Sequence, residues 1–159
     1  MNDNQQKLQQ LSWIAFAALA LQLVGAVVFI KERMLFADST YAVFGIVSEH
    51  SLKILNHRYG EFITQLFPFL AAKYHLPLKA ALWGYGISFN VFYLLVSGIL
   101  VFRLRQYGFA ILMSLYYFLF VSASFICAND VSLGIAWMFL LFGLTIYMGA
   151  KRPSVPKSR

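Results

Sequence analysis

At 159 residues, with 60% hydrophobic and only 12% charged side chains, the chain is too poor in charge for an ordinary soluble domain, in which about a quarter of the residues are charged. A net charge of +7 does not point to nucleic acid, because the basic residues sit at the ends of apolar segments and not along one stripe. The length suits a single compact helical unit and leaves no room for a second domain.

Four segments lack charge over long runs: Leu11 to Ile30, Ala80 to Phe102, Gln106 to Asn129, and Val131 to Ala150. About 20 apolar residues, each rising about 1.5 Å in a helix, cross a hydrocarbon core about 30 Å thick. In lipid a backbone must satisfy its own hydrogen bonds, which only helices and closed barrels do. The alternating strands of a barrel are absent. The expectation is an all-α polytopic membrane protein, a single membrane domain over residues 1–159 with four transmembrane helices at about 11–30, 80–102, 107–128 and 132–150. Two amphipathic interfacial helices lie between the first and second spans in an outer-face loop, 31–79, and a basic tail, 151–159, follows the last.

The first segment reads as a retained helix. Only Lys7 precedes it as a positive charge, and Ile30-Lys31-Glu32-Arg33 offers no small-residue cleavage site. In the loop that follows, Val43, Ile46, Val47 and Ile54 recur at helical spacing, and Glu49 and Lys53 form an i,i+4 pair of favourable order. Asp38 or Ser39 is placed to cap this helix, and Asn56 with Arg58-Tyr59-Gly60 to end it. A second helix carries Phe62, Leu66, Phe69, Leu70 and Tyr74 on its apolar side, with a bend or break at Pro68. Such helices lie in the membrane interface with apolar faces buried.

Pro77 suits the first turn of the second span. Within the spans, Gly84, Gly86 and Ser88 make a small-residue face, while Asn90, Ser114, Ser122 and Ser124 are suited, like Ser88, to bonding between helices. No ionisable side chain lies in the middle of a span, which weighs against a proton-coupled transporter or channel built from this chain alone. Trp13, Trp83 and Trp137 suit interface or bundle anchoring. The one cysteine, Cys127, cannot form an intrachain disulfide.

Lys7, the turn Arg103 to Gly108 and the tail from Lys151 to Arg159 put the denser positive charge on one side. Both termini are therefore expected in the cytoplasm, with the chain in the inner (plasma) membrane. Lys31 and Arg33, just past the first span, oppose that orientation. The tail, with two prolines and four positive charges, cannot continue a helix and reads as an anchor on anionic headgroups.

The candidate functional residues fall in the first loop. Asp38 opens it, as a helix cap or as a carboxylate facing a membrane-proximal cavity. His57-Arg58-Tyr59-Gly60-Glu61 is polar enough to bind an anionic headgroup through Arg58, with His57 and Glu61 beside it; otherwise it is a solvated turn. His50, His57 and His75 lack metal-ligand spacing, so neither a metal nor a cofactor is implied.

The stretch Met34-Leu35-Phe36-Ala37-Asp38-Ser39-Thr40-Tyr41, followed by His57 to Phe62, Phe67-Pro68 and Leu76-Pro77-Leu78, resembles the amino-terminal region of polytopic glycosyltransferases of the GT-C superfamily. Those proteins have a first span, then an outer loop that opens with an acid and folds into interfacial helices. The resemblance implies a polyprenyl-phosphate lipid as partner, Asp38 as general base or acceptor-orienting acid, and Arg58 at the carrier phosphate. The chain departs from the family in having four expected spans where the family has many more, and in lacking a paired acidic motif at the loop start. Two readings follow: a fragment or divergent relative of a lipid-linked sugar glycosyltransferase, or a non-enzymatic membrane subunit or scaffold of a larger membrane complex. Enzymatic activity is left open between them.

Overall fold

The computed structural model describes residues 3–34, 37–54, 59–120 and 130–151, and for 37–39, 59, 130–132 and 151 the backbone alone. Among the described residues the structure is helical and contains no strand. The helices are α1 (Asp3–Val28), α2 (Ile30–Met34), α3 (Ala37–Glu49), α4 (Phe62–Lys73), α5 (Leu78–Gly98), α6 (Tyr107–Leu119) and α7 (Asp130–Lys151). A 3-10 turn, Tyr59–Glu61, leads into α4, and a π-helical turn, Ile99–Arg103, extends α5.

Among the described residues, three helices are long and apolar enough to cross a membrane, Asp3–Val28, Leu78–Arg103 and Leu133–Ala150, with mean hydropathies of 2.1, 1.8 and 1.8 over an 18-residue stretch of each. The remaining expected span, about 107–128, is helical over the 13 residues of α6. That is about 20 Å of helix, and residues 121–129 lie outside the described residues.

α5 is the centre of the bundle. Tyr85, Phe89, Tyr93, Val96 and Leu100 recur along it at spacings of three and four, and all are buried in the main core. The helices around α5 alternate in direction. Trp13 and Phe16 of α1 meet the Phe102 ring edge-on at 4.9 and 5.4 Å, while Ile30, beyond the other end of α1, lies against Gly86, so α1 and α5 are antiparallel. The Tyr117 ring, near the end of α6, reaches back to Tyr93 at 4.6 Å. In α7, Trp137 meets Phe92 at 5.1 Å and Gly143 lies against Leu100 and Leu104, so α7 runs parallel to α5.

The segment between α1 and α5 departs from several expectations. α3 starts at Ala37, so Asp38 and Ser39 occupy its first turn and not the cap position. It ends at Glu49 because His50 turns into the left-handed region, at φ 52°, and Ile54 lies beyond any helix. The expected ion pair between Lys53 and Glu49 forms nonetheless, with the Lys53 stem folded back over Gly45. Pro68 neither breaks nor ends α4. Its missing donor leaves the Thr64 carbonyl without a helical partner, and the Ser88 hydroxyl lies 3.4 Å from that oxygen.

α4 runs antiparallel along the first half of α5, with Thr64 level with Ser88 and Phe67 level with Gly84. Its small and polar side, Thr64, Gln65, Pro68, Ala71 and Ala72, faces the bundle. The expected apolar side, with Phe62, Leu66, Leu70 and Tyr74, is exposed. A loop closes the hairpin: Leu76 N–H donates to Ala71 O at 2.8 Å, and His75 N–H to Ala72 O at 3.2 Å. His75 holds the left-handed position, at φ 54°, that glycine usually takes at a helix end. Pro77, at φ −61° and ψ 145°, then forms the N-cap of α5, one place earlier than expected.

Candidate functional site

The polar interior is organised by a residue that charge counting assigns to the membrane surface. Arg33, in α2, is 2% exposed. Two glycine-scale features bring it there. A Cβ on Gly86 would fall 2.6 Å from Ile30 Cδ1 and 2.9 Å from Met34 Cε, so the missing side chain lets the ends of these two side chains lie directly on α5. The Arg33 guanidinium then donates from Nη1 to Gly86 O at 2.8 Å.

Asn90, one turn further along α5, completes the arrangement. Two donors cannot face each other, so the Asn90 amide oxygen faces the guanidinium, accepting from Nη1 and Nη2 at 3.1 and 3.2 Å, while its nitrogen faces the Tyr117 hydroxyl of α6. Three segments, α2, α5 and α6, are thus tied through one buried cation. The guanidinium remains protonated when buried. No ionisable side chain originates in the middle of a span, yet this one enters the bundle from the loop. Arg33 belongs to the first loop by position, yet its charge is satisfied against the second span.

A second clamp fixes the chain after α3. The Gln65 amide accepts from Lys53 N–H at 2.8 Å and donates to Lys53 O at 2.9 Å, bonding both polar groups of one peptide residue. The same Nε2 lies 3.3 Å from Glu61 Oε2. Glu61, a candidate substrate-binding residue, is 3% exposed and engaged in this cluster, at the turn where Gly60 sits 3.1 Å (as a built Cβ) from the Trp137 indole.

The other candidates lie apart from these clamps or beyond description. Asp38 is in the first turn of α3, and its side chain is outside the described residues. His57 and Arg58 lie outside them as well. Thr40, two positions past Asp38, donates its hydroxyl to Met34 O and ties the start of α3 to the end of α2. His50 and His75 serve as left-handed helix-end residues, and among the described residues no three His, Cys, Asp or Glu side chains converge.

Of the polar residues expected to bond between helices, Asn90 does so. Ser114 donates to Ala110 O of its own helix at 2.8 Å, and Ser88 chiefly to Tyr85 O at 2.6 Å; Ser122 and Ser124 lie outside the described residues. Sequence reading missed Arg33 and Gln65. The available signal for Arg33 was the coexistence of Asn90 and Tyr117 in apolar segments, since polar groups in such segments require partners.

Beside the clamps, a groove of about 720 Å³ opens between α4 and α5, walled by Phe67 on one side and by Lys79, Trp83, Ile87 and Val91 on the other. Its lining is apolar apart from Lys79 and Ser88. The chain matches no protein-family model, no curated protein and no solved structure.

Proposed function

We propose that the chain is a four-span integral membrane protein, with segment 31–77 forming a rigid platform at the outer face and both termini in the cytoplasm, that acts as a non-enzymatic subunit of a larger membrane complex. The observation that carries this reading is that, among the described residues of the platform, Arg33, Gln65 and Glu61 serve as internal clamps: Arg33 on Gly86 and Asn90, and Gln65 on Lys53 and Glu61. Groups that are spent on holding helices together are unavailable for chemistry, while a platform held this way offers a partner a fixed surface. The parallel course of α5 and α7 supports the fourth crossing, because the chain between them must return across the bundle. In mild detergent the affinity-tagged protein is expected to co-purify from its native membrane with a multi-spanning partner. A stable monomer that captures polyprenyl phosphate unaided would count against the proposal.

The second reading is a divergent relative of a lipid-linked sugar glycosyltransferase, with Asp38 as its acid. It is favoured by the position of Asp38 in the first turn of α3, immediately past the Arg33 clamp, where the helix start favours a carboxylate. On this reading Asp38→Asn abolishes transfer of sugar from a polyprenyl-phosphate carrier while leaving the thermal unfolding midpoint unchanged. Full transfer activity in that variant removes Asp38 from the mechanism.

A further inference from the structure

The groove between α4 and α5 has a direction. Lys79, Trp83, Ile87 and Val91 follow one another every four residues, so they form one stripe parallel to the helix axis. From Lys79 to Val91 that stripe is about 18 Å long. Opposite it, Phe67 lies directly on Gly84: a Cβ there would fall 1.6 Å from the ring.

The depth of the stripe follows from the register of the bundle. Counting about 30 Å back along the second span from Phe102, at the Trp13 level, reaches Trp83. Tryptophan is enriched at the membrane interface, and Trp83 is 37% exposed. Lys79 then stands about 6 Å further out, within the headgroup layer that widens a 30 Å core to about 40–45 Å. Below Trp83 the groove continues about 12 Å to Val91, within a single leaflet.

Charge distinguishes the two ends. Lys79 is the only charged residue of the lining, exposed, with Nζ 5.6 Å from the Trp83 ring centroid. It also lies in the first turn of α5, whose N-cap Pro77 supplies no side-chain acceptor, so the helix dipole adds to the positive potential there.

We propose that this groove binds an anionic phospholipid of the leaflet facing the N-terminus of α5, with its phosphate at Lys79 and one acyl chain lying along Trp83, Ile87 and Val91. Depth and length suit a chain that ends within its own leaflet, and the single cation at the rim suits a headgroup of net negative charge. The site rests on membrane embedding alone, so it stands or falls separately from the subunit reading.

Native mass spectrometry of the full chain in mild detergent, titrated with phosphatidylglycerol or phosphatidylcholine of identical chains, tests this. The protein is expected to retain phosphatidylglycerol preferentially. Lys79→Gln, a change at an exposed side chain, should weaken that binding about fivefold, towards the phosphatidylcholine level. Val91→Trp, which fills the deep end of the groove at an exposed position, should weaken both lipids. Equal retention of the two lipids by the unaltered protein, or unchanged binding in Val91→Trp, overturns the site; displacement of phosphatidylglycerol by a polyprenyl phosphate at lower concentration overturns the occupant.

Discussion

Replacing Arg33 by methionine keeps most of the side-chain volume while removing every donor that faces Gly86 O and the Asn90 oxygen. A buried acceptor stripped of its donor costs about 1–3 kcal/mol, so Arg33→Met is expected to lower the unfolding midpoint in detergent. Arg33→Lys should recover only part of the loss, because one ammonium cannot reproduce the planar fork that serves two acceptors. A midpoint for Arg33→Met equal to that of the unaltered protein would show that the network contributes nothing. His75 leads to a change of opposite sign. It holds φ 54°, a conformation that costs an L-residue about 1 kcal/mol and glycine almost nothing, so His75→Gly should stabilise by about that amount, measured by the same unfolding assay. At this scale the sequence was legible where a residue's neighbours along the chain decide its state. It named Asn90 as a bonding residue but counted Arg33 as a surface charge, since its acceptors are 53 and 57 positions away.

Between elements, the decisive contacts are made by residues without bulk. Gly84 and Gly86 read in sequence as one close-packing face, but residues two apart point to different sides of a helix, and they receive different neighbours: Phe67 of α4 on the first, Ile30 and Met34 on the second. Gly84→Ala must move the Phe67 ring, and overpacking of this kind costs about 1–3 kcal/mol. Removing the ring should cancel most of that cost, so Phe67→Ala and Gly84→Ala are expected to be strongly non-additive in a double-mutant cycle; simple additivity would mean that the two helices do not meet there. α3 and α4 fall where the loop shows helical spacing, with the short α2 ahead of them. Their ends were not, because His50 and His75 take left-handed positions for which glycine is the usual signal. Likewise Arg105, at φ 54°, turns the chain before α6, while the nearby Gly108 is an ordinary helical residue. Among the candidate site residues, Glu61 is buried beside Gln65, a partner that, as for Arg33, is set by how the helices dock.

For the whole molecule, the alternating directions of α1, α5, α6 and α7 make the proposed four-span arrangement open to a direct test. In a Cys127→Ser background, Ser51→Cys should react with a membrane-impermeant maleimide on intact cells, whereas Gln6→Cys and Arg105→Cys should react only after permeabilisation. Labelling of Ser51→Cys and Arg105→Cys from the same side would refute that topology. The helical class and three of the four long apolar spans were legible in the sequence alone, because hydropathy and helical period are properties of neighbours along the chain. Tertiary structure alone decided that Arg33 leaves the surface for Gly86 and Asn90, that α4 turns its small polar side inward, and that a groove opens beside Lys79 and Trp83. Each of these depends on which helix faces which, and that is set by the summed packing of segments far apart in the chain.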